Sequence, residues 1–327
     1  LVMDTRTTAI RCHLDPRADV GLGEVHLPEF EVLGADSREQ AMALLRSRCE
    51  AGVAQRYGVA DEAIRRRLDD ELDVIGQLGY ESYFLTVADV VGLVRDMGIR
   101  CAARGSGAGS LVNHLLGISG VDPMRYGLVM ERFLSPMRQA LPDIDLDVES
   151  ARRTEIYTKV LETFGGERVA CVAMIETYRV RHAVRDVAAA LSLPPGEADA
   201  IAKSFPHIRA RDARKALRDL PELRAAGLAE RRLDVLFELV EQLDGLPRHV
   251  ALHPCGVLLS DRTLGDRTPL EASFGGFPMS QFDKDDVEDL GLLKLDILGI
   301  RMQSAMAHTL VELERTGEPV PDIDALA

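Results

Sequence analysis

Apolar positions recur at three-and-four spacing from Ser37 to about Tyr57 and from Ala60 to about Leu78, which predicts two amphipathic helices. The first opens on Ser-x-x-Gln, a capping-box pattern, and the second stops at Gly79-Tyr80. A third helix, about Leu85 to Met97, leads through Gly98 into a short buried strand, Ile99-Arg100-Cys101-Ala102. The glycine-rich loop Arg104-Gly105-Ser106-Gly107-Ala108-Gly109-Ser110 then opens an apolar helix from Leu111 to Leu116. Asp122-Pro123 reads as a cap and first-turn proline for a helix over Met124 to Leu134. Upstream, the first thirty residues hold few helical periods, and Leu27 to Val32 reads as extended.

The period then shortens to two. Asp143-Ile144-Asp145-Leu146-Asp147-Val148 alternates acid with apolar, as a strand with one wet and one buried face does. Helix Arg152 to Phe164 and strand Val169 to Met174 complete a strand-helix-strand unit. From about Thr177 to Ala251 the pattern is wholly helical, with breaks at Pro194-Pro195, Pro206, Pro221 and Gly245. Strands return at Gly256 to Ser260, Met279 to Asp283 and Leu292 to Leu298, and Met302 to about Arg315 is a last helix. The fold class is therefore α+β, with a helical insert interrupting the strand-bearing part.

Composition narrows the class. With 327 residues and 46% hydrophobic side chains, the chain has material for a large core and roughly two domains, and is neither a disordered tail nor a fibrous repeat. The net charge of −14 argues at first against an acidic partner such as DNA. Residues 175–253, however, hold 13 basic and 12 acidic side chains, so the remainder carries −15. Arginines at 179, 181, 185, 209, 211 and 214 gather in the first part and middle of the insert. The five cysteines form no Cys-x-x-Cys pair, which favours separate thiols in a reducing compartment. No apolar run reaches membrane-spanning length, so a cytoplasmic protein is expected. The first residue is Leu1, not methionine, and a fragment of a longer protein is expected.

Three stretches carry candidate chemistry. Asp143, Asp145 and Asp147 project from one strand face, and carboxylates so close repel unless a cation lies among them. All-oxygen ligands favour Mg²⁺, although a solvated edge strand gives the same pattern. An EF-hand loop is disfavoured, because Val148 and Thr154 stand where it needs glycine and glutamate. In the glycine-rich loop, small residues let backbone N–H groups approach a phosphate, with the next helix directing its positive end there. A tight strand-to-helix turn is the competing reading. Lys294 and Asp296 alternate with leucines in Leu292 to Leu298, a charged pair that needs a partner to be buried, whether a metal, a phosphate or each other. Lys284 follows Gln281-Phe282-Asp283 and adds a cation, while His253-Pro254-Cys255-Gly256 reads better as a structural turn than as a Cys-His catalytic pair. A loop, an Asp-x-Asp strand and a third strand aspartate are the parts that nucleotidyl transfer with two metals uses.

These motifs occur in a fixed order: Arg104 to Ser110, Glu131-Arg132-Phe133-Leu134, Pro142 to Asp147, Gln281-Phe282-Asp283-Lys284 and Lys294-Leu295-Asp296. In that order the chain resembles the bacterial C-family DNA polymerases, the replicative DNA polymerase III alpha subunit and its error-prone relatives, from about Leu27 onward. The resemblance implies a polymerase-beta-like nucleotidyltransferase palm with a mixed sheet, interrupted by an all-helical thumb. The implied divisions are palm at 1–176, with a linker stub at 1–26, thumb at 177–252, palm again at 253–299 and the start of the fingers at 300–327. Asp143, Asp145 and Asp296 would be the catalytic, metal-binding aspartates, holding two Mg²⁺ ions for which Mn²⁺ can substitute. Arg104, Gly105, Ser106, Lys284 and Lys294 would bind nucleotide phosphates, and Arg179, Arg181 and Arg185 would touch DNA.

Primer-template DNA and deoxynucleoside triphosphates are the implied substrates, with a sliding clamp and other accessory proteins reached through regions beyond this segment, and no membrane. Ala103 stands where the family usually has glycine, Ile144 and Leu146 replace a phenylalanine-rich strand, and His-Pro-Cys-Gly replaces the replicative His-Ala-Gly-Gly. Those variants resemble the error-prone, damage-inducible branch that serves translesion synthesis in repair; a replicative subunit is the alternative. Two other classes stay open: a metal-dependent phosphohydrolase, disfavoured because Arg138 to Pro142 is not a strongly apolar strand, and an inactive palm scaffold in a repair assembly.

Overall fold

The computed structural model describes residues 2–135, 141–225, 233–321 and 323. The chain divides into one unit made of Leu1–Ala173 with Leu252–Ala327 and a second made of Met174–Ala251. In the first, two short helices, α1 (Val2–Arg11) and α2 (Pro16–Val20), precede a 3₁₀ turn at Phe30–Leu33. This corrects two expectations, since the first thirty residues do contain helix and the segment expected to be extended from Leu27 to Val32 is extended at Glu29 but turns at Phe30.

Three longer helices follow, α3 (Arg38–Arg56), α4 (Glu62–Leu78) and α5 (Glu81–Asp96). Ser37 caps α3 by accepting from the Gln40 N–H, but the Gln40 side chain returns to the Asp36 N–H instead of closing the box on Ser37. Asp61 caps α4, and Gly79 in the left-handed region ends it. In α5, Tyr83, Phe84 and Leu85 are fully buried, worth about 1.5–3 kcal/mol each. The Tyr83 hydroxyl donates to the Pro142 carbonyl at 2.7 Å, so this core helix holds the residue immediately before Asp143.

Strand β1 (Cys101–Arg104), a 3₁₀ turn over Gly105–Gly109 and helix α6 (Leu111–Leu115) come next. The expected helix over Met124 to Leu134 does not form. Asp122 does accept from the Met124 and Arg125 N–H groups, but Gly127 turns to a φ of +59° and only a 3₁₀ turn at Met130–Arg132 follows. Strand β2 (Asp145–Glu149), helix α7 (Arg153–Phe164) and strand β3 (Val169–Thr177) then build the strand-helix-strand unit. Asp143 lies just ahead of β2.

The second unit holds α8 (Val180–Ala190), α9 (Pro195–Ser204), α10 (Ala213–Asp219), α11 (Pro221–Ala225) and α12 (Asp234–Gln242) around a core that includes Val184, Ile201, Phe205, Leu217 and Phe237. The segment is not wholly helical, because strand β4 (Pro247–Leu259) already begins at Pro247. Helix α13 (Leu264–Arg267), strands β5 (Leu270–Ala272) and β6 (Pro278–Ser280), helix α14 (Lys284–Asp289), strand β7 (Leu293–Ile300) and helix α15 (Arg301–Thr316) finish the described chain.

The seven strands form one mixed sheet in the order β1-β2-β7-β4-β3-β6-β5. β2 and β7 run parallel, while β1 and β4 flank them antiparallel. Ile144, Leu146 and Val148, with Leu293, Leu295 and Ile297, are buried in the main core, leaving the intervening acids and Lys294 less buried. No helix among the described residues is long and apolar enough to cross a membrane.

Candidate active site

Register sets the site. Arg104 pairs with Asp145, Asp145 with Asp296, and Asp296 with Gly256, a row across β1, β2, β7 and β4. Parallel pairing of β2 with β7 therefore joins two aspartates separated by 150 residues of sequence. Oxygens of Asp143, Asp145 and Asp296 lie within 4.8 Å of one another. The Lys294 ammonium sits 2.6 Å from Asp296 Oδ2 and 3.7 Å from Asp143 Oδ1. On the other side Arg104 Nε is 3.4 Å from both Asp145 Oδ2 and Asp147 Oδ1.

The charges are only partly balanced. Partial burial, with the like charges of Asp296 and Asp145 behind it, outweighs Lys294 and raises the Asp143 pKa above the ordinary carboxylate value. Burial likewise raises Asp147 against the pull of Arg104. Burial opposes the charge on Lys294, yet its hydrogen bond to Asp296 and the charge of Asp143 prevail and raise its pKa. Asp296 Oδ1 is buried without a hydrogen-bond partner. Three converging carboxylates, a raised acid and an orphaned oxygen make an all-oxygen donor set that fits a hard divalent cation.

Lys284 begins α14, where Asp283 closes a capping box with Asp286, and its ammonium lies 2.7 Å from Asp285. Together with Lys294 and Asp143 it lines a cavity of about 380 Å³. Gly23, Glu24 and Val25 form another wall, a contribution that reading the sequence missed. The segment is held by a bridge from His26 to Leu292 and by Gly291, where a Cβ would lie 1.7 Å from the Glu24 carbonyl oxygen.

The glycine-rich loop departs from expectation in one respect. Arg104, Gly105 and Ser106 are exposed beside Asp145, with Gly105 at a φ of +75°. The positive end of α6, however, does not face a ligand. Glu71 from α4 fills it, accepting from the Leu111 and Val112 N–H groups at 2.9 and 3.0 Å and from the Ser110 hydroxyl at 2.8 Å.

His253 and Cys255 also come within 4.8 Å of Asp296. They do not make a second metal site as they stand, because the Gly256 N–H donates to His253 Nδ1 at 3.0 Å, which leaves the proton on Nε2. Burial lowers the His253 pKa and pushes the Cys255 thiol up to about 11, so neither member of a catalytic thiolate-imidazolium pair is favoured.

Residues 43–299 match the family model described as the bacterial DNA polymerase III alpha NTPase domain. The chain belongs to the bacterial DNA polymerase III alpha family. It is 40% identical over 306 residues to an error-prone DNA polymerase of Symbiobacterium thermophilum, covering 93% of this chain and 28% of that protein. An error-prone DNA polymerase of Anaeromyxobacter dehalogenans is 41% identical over 89% of this chain and 26% of its own. The DNA polymerase III subunit alpha of Bacillus subtilis is 37% identical over 87% of this chain and 25% of its own. The chain thus spans about a quarter of the length of these polymerase relatives.

The arginines singled out for DNA lie in the second unit. Arg179 and Arg181 line a cavity of about 590 Å³ there with Arg209, His182 and His207. Arg181 donates to the Phe205 carbonyl at 2.8 Å, and Arg185 is paired with Asp199 at 2.7 Å. Arg185 is therefore partly neutralised within its own unit; Arg209, which the sequence reading grouped only by charge, shares the cavity and lies 3.8 Å from Asp244.

Proposed function

We propose that this chain is the palm and thumb of a template-directed DNA polymerase, and that Asp143, Asp145 and Asp296 hold two Mg²⁺ ions for deoxynucleotidyl transfer to a primer 3′-hydroxyl. The convergence of those three carboxylates through the β2–β7 register carries this reading. The palm is the sheet-bearing unit, the thumb the helical one, and α15 the first element of the fingers. When bound, the divalent ions, with Mn²⁺ as a substitute, lower the pKa of the attacking hydroxyl and neutralise the departing pyrophosphate.

The chain's own residues position the reactants. Asp145 and Asp296 are fixed by the sheet register, and Asp143 by the Tyr83 bond to Pro142. Lys294 holds Asp143 and Asp296 together before a cation arrives and afterwards is a donor for phosphate oxygen. Arg104, beside Asp145, and the following Gly105 and Ser106 receive the triphosphate, with Lys284 and Lys294 contributed by the cavity at Asp143. Arg179, Arg181 and Arg185 contact the DNA backbone, which the near-neutral second unit permits despite the total of −14. The branch we assign is error-prone translesion synthesis in a cytoplasmic repair setting, supported by His253-Pro254-Cys255-Gly256 and by relatives named error-prone DNA polymerase.

The test places this chain in the Symbiobacterium relative, replacing its matching segment, with a primer-template, Mg²⁺ and four deoxynucleotides. Asp145→Asn is expected to lower extension about a thousandfold or more while DNA binding persists. Unchanged extension removes Asp145 from the chemistry, and equal loss of binding and extension makes its role structural. Bypass of an abasic site by the unaltered chimera decides the branch.

A further inference from the structure

Buried Glu71 stands on the inner side of the loop that Arg104, Gly105 and Ser106 present to nucleotide. Its side chain is 2% exposed, and it is held by Arg67 at 2.6 Å one helical turn away. It binds the Ser110 hydroxyl and the Leu111 and Val112 N–H groups, and Arg67 also donates to the Gly109 carbonyl at 3.0 Å. From the other side Asn113 donates to the Gly107 carbonyl at 3.0 Å, and a Cβ on Gly109 would lie 2.4 Å from the Val129 carbonyl oxygen. Among the described residues, the polar contacts of the carboxylate thus end on the last loop residue, on the first turn of α6 or on Arg67. A carboxylate so placed satisfies the orphan N–H groups that would otherwise compete for an anion, and it fixes the loop's far end.

We infer that Glu71, braced by Arg67, is a positioning residue for the nucleotide-phosphate loop: it occupies the start of α6 in place of a phosphate, so that the triphosphate is received only by the outer face at Arg104 to Ser106. The inference rests on the nucleotide reading given above. Glu71→Gln keeps the shape but turns an acceptor oxygen into a donor that opposes an N–H group. The loop then loses its fixed setting, while the carboxylates on β2 and β7 are untouched.

The experiment measures binding of a deoxynucleoside triphosphate, the corresponding monophosphate and tripolyphosphate to the chain in Mn²⁺, alongside Mn²⁺ affinity alone. Glu71→Gln is expected to weaken triphosphate and tripolyphosphate binding roughly five- to tenfold, about the effect of one ordinary hydrogen bond transmitted through the loop. Monophosphate binding and Mn²⁺ affinity stay within twofold. A general loosening of the fold would move all four together and would overturn the positioning role. Tighter triphosphate binding would overturn it too, by showing that the carboxylate had masked a phosphate site. Arg67→Lys, which keeps the charge but cannot span Glu71 and Gly109, shifts binding the same way by a smaller factor and serves if Glu71→Gln does not fold. Arg104→Ala separates the two levels. If it weakens triphosphate binding and Glu71→Gln does not, only the positioning role fails; if the unaltered chain binds no triphosphate, the nucleotide reading fails and this role with it.

Discussion

Asp143, although half exposed, bears a charge that the metal-free fold disfavours. Its raised pKa means that burial and like charges disfavour the carboxylate in the folded state more than Lys294 favours it. For an acid raised above its unfolded value, stability is greatest at low pH and is lost as pH rises through the folded pKa. Because solvent screens this half-exposed group, Asp143→Asn is expected to raise the melting temperature in metal-free buffer at pH 7 by only about 1 °C, with the gain vanishing as pH falls below that pKa. Saturating Mg²⁺ should reverse the order, because only the unaltered site keeps all three ligands. A variant no more stable than the original without metal would show that Lys294 balances the cluster after all. Asp143, Asp145 and Asp296 were legible as a candidate cluster because they stand among residues that the sheet buries, and the structure brings their oxygens together. The setting of Glu71 was not legible, since an arginine and a glutamate at i and i+4 have the spacing of an ordinary surface pair. The signal was present nonetheless: Glu71 lies in the stripe Ile64, Leu68, Leu72, Ile75 that α4 buries.

Elements were legible where period and cap agreed and illegible where distant packing decided. α3 and α4 have continuous apolar stripes ended by a polar cap or a glycine, and they form within a few residues of expectation. Asp122-Pro123 is a sound helix start, but no stripe long enough to be buried follows it before Gly127, so only the local turn survives. The first residues of β4 were read as helix because Pro247 to Ala251 have no period of their own; a neighbouring strand makes them extended. Packing between α3 and α6 gives a sharper test. A Cβ on Gly52 would lie 2.2 Å from the Leu115 carbonyl oxygen, backbone that cannot swing aside. Gly52→Ala should cost about 1–3 kcal/mol by forcing the helices apart, despite the better helix propensity of alanine. Gly92, inside α5, meets nothing within 4 Å, and Gly92→Ala should stabilise by up to about 1 kcal/mol. Urea midpoints that move in opposite directions at constant slope confirm both, and a neutral Gly52→Ala would deny the close approach.

At the scale of the molecule, charge and core divide along the same lines. The helical unit has its own hydrophobic cluster, all of it between Val180 and Val240, and a nearly balanced charge. The sheet-bearing unit has separate clusters, the surplus of acid and all three converging aspartates. Self-repulsion among its carboxylates weakens the sheet-bearing unit, and cation binding relieves it. Two cores without shared buried residues are expected to unfold in two calorimetric transitions. Adding Mg²⁺ should raise the transition of the sheet-bearing unit through mass action and leave that of the helical unit within about 1 °C, since only one unit holds the ligands. Tripolyphosphate added with Mg²⁺ should move the same transition further. One transition that shifts as a whole would show that the two cores melt together, and a metal-dependent shift confined to the helical unit would place the cation away from Asp143, Asp145 and Asp296.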